Sequence, residues 1–240
     1  MKLLVSVVNK EEALEVLRSG CQCIIDVKNP KEGSLGANFP HVIKEIREIV
    51  PRGIEVSATT GDMPNLPGTA SLAAFGASML NVNYVKIGLK NLKTKEDAIY
   101  MMKNVVRSVK NYNPSTKVVV AGYADSARID SLNPLDIPEI AYEAGADVVM
   151  IDTAIKDGTK LFDFLKDSEL RSFVQRAHKM KLIAAFAGSL GSEDVEKVYK
   201  TGADIFGVRG AVCSKKDRLK GKFKSKLVKD LAKQINKIKS

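Results

Sequence analysis

Apolar positions along the chain follow two alternating periods. Short, nearly continuous apolar runs stand at residues 3–8, 23–28, 55–60, 84–89, 117–123, 147–153, 182–188 and 205–209. Runs of this kind fit strands that are covered on both faces, as in parallel sheets. Between them lie stretches with a period near 3.6 at 11–18, 42–49, 69–80, 95–110, 138–144, 168–179, 193–200 and 226–239. The stretch 95–110 shows this most clearly, with Ile99, Met102, Val105, Val106 and Val109 on one face.

Three strand entries share one junction. Ser19-Gly20, Ala144-Gly145-Ala146-Asp147 and Thr201-Gly202-Ala203-Asp204 each place a helix-stopping glycine just before an apolar run. Repeated βα units produce such a junction, and eight of them in 240 residues match a closed (β/α)8 barrel in count and size. An open doubly wound sheet is disfavoured, because Ser6-Val7-Val8-Asn9-Lys10 stands where a glycine-rich dinucleotide loop belongs. The division expected is a barrel body over 1–213 and a basic helix within 214–240 that completes the outer layer.

Composition narrows the functional classes. No apolar run approaches the ~20 residues of a membrane span, and the N-terminus reads as a first strand rather than a signal peptide. Cys21, Cys23 and Cys213 fit reduced cytoplasmic thiols better than a disulfide framework. Neither they nor His41 and His178 have metal-ligand spacing, so no metal is expected. The net charge of +10 is concentrated at the end: residues 215–240 hold eleven Lys and Arg against Asp217 and Asp230. A solvated helix with Leu227, Val228, Leu231, Ile235 and Ile238 as its apolar stripe explains this tail better than nucleic-acid binding. The body has no tryptophan and no interleaving of aromatic and basic residues. Self-association is left open.

In a barrel the chemistry stands at the C-terminal strand ends. Those ends carry Asp26 and Lys28, then Lys86, then Asp152 with Lys156. Asp26 and Lys28 share a face of one strand. A lysine inside an apolar strand, as at 86, needs a carboxylate or the barrel mouth, because a lone buried ammonium is costly. Crowded amines that are partly desolvated titrate low, and a free amine attacks a carbonyl to form an imine. An ion-pair plug with no chemistry is the plainer reading of the same cluster. Gly188-Ser189 and Gly207-Val208-Arg209-Gly210 occupy the strand-seven and strand-eight ends, where barrels commonly hold phosphate. Lys31 and Ser34, in the glycine-containing loop after Lys28, are candidates for a second anion site or a lid.

These segments resemble one family. The stretch Asp26-Val27-Lys28-Asn29-Pro30-Lys31-Glu32-Gly33-Ser34-Leu35-Gly36-Ala37-Asn38-Phe39-Pro40 is similar to its leading signature. Tyr84-Val85-Lys86-Ile87-Gly88, Ile151-Asp152-Thr153-Ala154 and Gly207-Val208-Arg209-Gly210-Ala211 are similar to later ones. The family is (5-formylfuran-3-yl)methyl phosphate synthase, also called 4-(hydroxymethyl)-2-furancarboxaldehyde-phosphate synthase, of methanofuran biosynthesis in methanogenic archaea. The resemblance implies a carbon–oxygen lyase acting on phosphates, which joins two molecules of glyceraldehyde 3-phosphate. It implies Lys28 as Schiff-base lysine, Lys86 as proton carrier, Asp26, Asp152 and Lys156 as supporting charges, and no metal or organic cofactor. Asp-x-Lys on a barrel strand also occurs in phosphate-binding decarboxylases and epimerases that form no imine. Their further aspartate would fall at position 31, which is lysine here.

Overall fold

The computed structural model describes residues 1–239. Eight parallel strands close on themselves in sequence order. They are β1 (Lys2–Val7), β2 (Ile24–Val27), β3 (Val56–Met63), β4 (Tyr84–Leu89), β5 (Lys117–Tyr123), β6 (Val148–Asp152), β7 (Ile183–Phe186) and β8 (Ile205–Val208). The helices α1 (Lys10–Arg18), α2 (Pro40–Ile49), α3 (Pro67–Ser78), α4 (Lys95–Lys110), α5 (Ile137–Ala144), α6 (Leu161–Phe164), α7 (Asp167–Lys179), α8 (Val195–Tyr199) and α9 (Ser225–Lys239) complete the chain. The fold is a TIM barrel, as expected from the alternation of periods.

Two separate apolar groups hold it. One lies between the sheet and the helices, for example Val5, Ile25, Val85 and Val149 against Val16, Ile46, Met101 and Val105. The other fills the barrel interior with Leu4, Ile24, Tyr84, Val119, Met150 and Ile205. Strand residues alternate between the two groups, which is why the strands read as unbroken apolar runs.

Two differences from the sequence reading bear on the site. β3 runs on to Met63, with a register shift between Thr59 and Asp62. The irregularity carries Asp62 to the mouth, where the pattern alone predicts only a loop. α9 buries Val228, Leu231 and Ile235 but leaves Leu227 partly in solvent, so the apolar stripe is narrower than its spacing suggests. Among the described residues no helix is long and apolar enough to cross a membrane.

The docking of α9 on α1 and β1 gives a stability prediction. Leu231 is buried, and Leu231→Ala should cost about 3 kcal/mol in urea denaturation, through lost burial and the cavity left behind. A cost below about 1 kcal/mol would mean that the helix contributes little to the folded body.

Candidate active site

The site is built from the inside of the barrel upward. Parallel register sets Asp26 of β2 beside Ser6 of β1 and Ser57 of β3. Both hydroxyls donate to its carboxylate at 2.8 Å. Lys86 of β4 completes the cage, its Nζ 3.0 Å from each carboxylate oxygen. Asp26 is 0% and Lys86 1% exposed. Burial opposes ionisation of Asp26, yet Lys86, Lys28 and the hydrogen bonds together hold its carboxyl below the usual range.

A second pair stands across the mouth. Asp152, at the end of β6, accepts from Lys156 Nζ at 2.5 Å and from the Thr153 N–H at 2.7 Å. Lys156 also donates to Thr153 Oγ1 at 3.0 Å. Burial again opposes charge, and Lys156 and Lys28 outweigh it, so Asp152 titrates well below the usual carboxylate range.

Lys28 stands between these pairs, 5% exposed. Its Nζ donates to the carbonyl of Ser34 at 3.2 Å. Among the described residues no carboxylate lies within ion-pair distance of it, because Asp26 and Asp152 are taken by Lys86 and Lys156. Burial, reinforced by Lys86 and Lys156, pushes its pKa from 10.5 down to about 7, against the pull of Asp152 and Asp26. About half of such a group is free amine at neutral pH.

The loop after β2 is fixed by a residue the sequence reading gave no role. Asp62 accepts from the N–H groups of Ser34 and Leu35 at 2.9 and 3.0 Å, and from the Tyr123 hydroxyl. Ser34 Oγ donates to the Thr153 carbonyl at 2.7 Å. Leu35 is thereby set into the barrel's interior group. Gly33 has φ +137, and a Cβ there would stand 2.1 Å from Asp62 Oδ2. Gly88 lets the Tyr123 hydroxyl pass, since a Cβ there would lie 2.0 Å from it.

The expectation of a second anion site in this loop is corrected. The N–H groups of Ser34 and Leu35 and the Ser34 hydroxyl are already bonded within the protein, and Lys31 is exposed and does not line the cavity. The loop is a plug that orients Lys28.

What remains open is a cavity of about 310 Å³ on the other side of the mouth. Lys28, Lys86, Asp152 and Lys156 form one wall. Gly188, Ser189, Gly207, Arg209 and Gly210 line it too. Among the described residues the N–H groups of Ser189 and Leu190 have no acceptor. Lys160, Glu193, Lys216 and Arg218 also line it, and spacing could not have found them, because they sit in loops far from the strand ends. Cations outnumber carboxylates around this volume, so it suits an anionic small molecule.

Arg209 is a second correction. Its guanidinium was expected to face a phosphate. Instead Nη1 and Nη2 donate to Glu12 at 2.7 and 3.1 Å, and Nη1 also to the Ser6 carbonyl. A buried guanidinium is held by a bidentate carboxylate when one is in reach, and α1 supplies it. Among the described residues no group of three or more His, Cys, Asp or Glu side chains is placed to hold a metal ion.

Comparison with known proteins gives a consistent picture. The family described as 4-HFC-P synthase matches residues 3–232. The (5-formylfuran-3-yl)methyl phosphate synthase of Methanopyrus kandleri is 52% identical over 234 residues, 98% of each chain. That of Methanocaldococcus jannaschii is 52% identical over 231 residues, covering 96% of this chain and 98% of the relative. That of Archaeoglobus fulgidus is 53% identical over 214 residues, covering 89% and 91%. Phosphoribosyl anthranilate isomerase of Thermus thermophilus superposes with a TM-score of 0.65 at 14% identity, over 99% of this chain and 100% of that one. A 3-hexulose-6-phosphate synthase gives 0.65 at 19%, over 98% and 100%. These two likenesses are of fold.

The position of Lys28 predicts a pH profile. Reductive labelling with a simple aldehyde and cyanoborohydride should rise at Lys28 with a midpoint near pH 7 and level off about one unit above it. In Lys156→Met the midpoint should move up. That change removes a like charge and frees Asp152 to stabilise the ammonium. Labelling that keeps rising towards pH 10 in the wild type, or a downward shift in the variant, would contradict this electrostatic arrangement.

Proposed function

Because the chain belongs to the 4-HFC-P synthase family, we propose that it converts two molecules of glyceraldehyde 3-phosphate to (5-formylfuran-3-yl)methyl phosphate, for methanofuran biosynthesis, by way of an imine on Lys28. The observation that carries the reading is the buried, carboxylate-free amine of Lys28 facing a cationic cavity.

The chemistry follows from the residues. The free amine of Lys28 adds to the carbonyl of one substrate, and loss of water gives the imine. The imine acidifies the neighbouring carbon. Lys86, held on Asp26, moves protons at that carbon, and the carbanion equivalent adds to the aldehyde of the second molecule. Ring closure by a hydroxyl then precedes aromatisation. The balance over both triose phosphates is loss of one inorganic phosphate and two waters, with one phosphate ester retained. No oxidant or reductant is needed. Lys156 and Asp152 keep the charge beside the imine fixed through these steps. The enclosed mouth, with Leu35 plugging one side, limits water at the imine.

Incubation with glyceraldehyde 3-phosphate and borohydride, followed by peptide mass mapping, should place the reduced adduct on Lys28. Lys28→Arg should abolish both adduct and furan product. Lys86→Arg keeps a cation for Asp26 and should fold, yet turn over about 10²–10⁴-fold more slowly, the range of a lost general acid–base group. Turnover with no adduct on Lys28 would overturn the imine assignment. Near-normal turnover of Lys86→Arg would reduce Lys86 to a structural partner of Asp26.

A further inference from the structure

Between β8 and α9 the chain makes a tied excursion over the cavity. Cys213 and Phe223 form an antiparallel bridge. The Ser214 N–H donates to the Lys222 carbonyl at 2.8 Å and the Lys224 N–H to the Val212 carbonyl at 3.0 Å. At its tip Asp217 accepts from the N–H groups of Leu219 and Lys220. The tip carries Arg218, whose side chain lines the cavity.

The guanidinium of Arg218 is unusual among the cations there. Its Nε and Nη2 are hidden from solvent and have no hydrogen-bond partner. Lys160 is paired with Glu193 and Asp194, Lys216 with Glu193, Lys156 with Asp152 and Lys86 with Asp26. Buried donors without acceptors are costly, and a planar guanidinium with two nitrogens unspent matches the oxygens of a phosphate. Arg218 lies within the electrostatic reach of Asp152 and Asp62, so it overhangs the mouth rather than the outer surface. Arg176 also has a buried unpaired Nε, but its other nitrogens are taken by Glu139 and the Leu135 carbonyl, away from the cavity.

Arg209 explains how the tip is held. Its Nε donates to the Arg218 carbonyl at 2.8 Å, while its other nitrogens grip Glu12 and the Ser6 carbonyl. We infer that Arg218 is a ligand for a phosphate monoester in the cavity, and that Arg209, clamped on Glu12, is the positioning residue that holds Arg218 over it. The inference rests on the reading above that the substrates are phosphate esters. It assigns the anion contact to the roof of the cavity, ten residues beyond the end of β8 at Val208, and not to a side chain at a strand end.

Titration of the full-length protein with inorganic phosphate tests this without turnover. Arg218→Gln should weaken phosphate binding at least tenfold and raise the KM for glyceraldehyde 3-phosphate by a similar factor. Arg218→Lys should recover part of both. Imine trapping of unphosphorylated glyceraldehyde on Lys28 should not follow the loss. Glu12→Gln separates clamp from charge. Removing a carboxylate would strengthen anion binding if charge alone mattered, or if Arg209 once released bound the phosphate itself. A loosened tip weakens it, which is the expected result. Wild-type phosphate affinity in Arg218→Gln, no phosphate binding by the wild type, or tighter binding in Glu12→Gln would each overturn the inference. Failure of the wild type to convert glyceraldehyde 3-phosphate, with the phosphate results as expected, would overturn the functional reading and leave Arg218 assigned.

Discussion

Asp26 puts a full negative charge at the centre of a barrel whose neighbouring positions are apolar, and the upper half of the barrel is arranged around neutralising it. A buried carboxylate left alone is so costly that it would stay protonated. Here Ser6, Ser57 and Lys86 converge on it from β1, β3 and β4. Removing one partner of such a pair costs on the order of 3–5 kcal/mol, because the survivor is stranded. The cage thus ties four strands, β1 to β4, together in a fixed register and immobilises Lys86 at the same time.

The count of charges then decides the chemistry. Lys86 has Asp26 and Lys156 has Asp152, which leaves Lys28 with a backbone carbonyl. Three amines share two carboxylates, so the one without a partner is the one whose ammonium form is least favoured. An extra carboxylate within ion-pair distance of Lys28 would hold it as an ammonium. One fewer amine would have the same effect, by freeing Asp26 or Asp152. Low titration at position 28 therefore comes first from burial, with Lys86 and Lys156 adding to it against the pull of Asp152 and Asp26.

Much of this was legible in the sequence. Strand and helix periods are local, so the barrel could be counted from them, and the rule that function sits at C-terminal strand ends brought Asp26, Lys28, Lys86, Asp152 and Lys156 together. What could not be read was competition between partners. Arg209 stands beside glycines where phosphate binds in many barrels, yet Glu12, nearly two hundred residues away, takes its guanidinium. Ser34 lies in a loop with the composition of an anion cradle, but Asp62 had already claimed its N–H. Asp62 itself was hidden by the register shift in β3, which no alternation pattern reveals. Hydrogen-bond donors in loops are assigned by three-dimensional proximity, and periodicity carries no record of it.

The two halves of the mouth divide the work accordingly. Over β2 to β5 the donors are internally satisfied: Tyr123 and the Ser34–Leu35 backbone meet on Asp62, and Leu35 joins the interior. That half is rigid and closed, which suits a wall that must keep Lys28 in one orientation. Over β6 to β8 the Nε and Nη2 of Arg218 are buried with no partner among the described residues. Buried donors without acceptors are costly, and an anion in the cavity would complete those of Arg218. The cavity, the free amine and the unmet donors therefore fall on one side for a single reason. The carboxylates at the mouth are spent on Lys86, Lys156 and Arg209, and the positive charge left over faces the cavity.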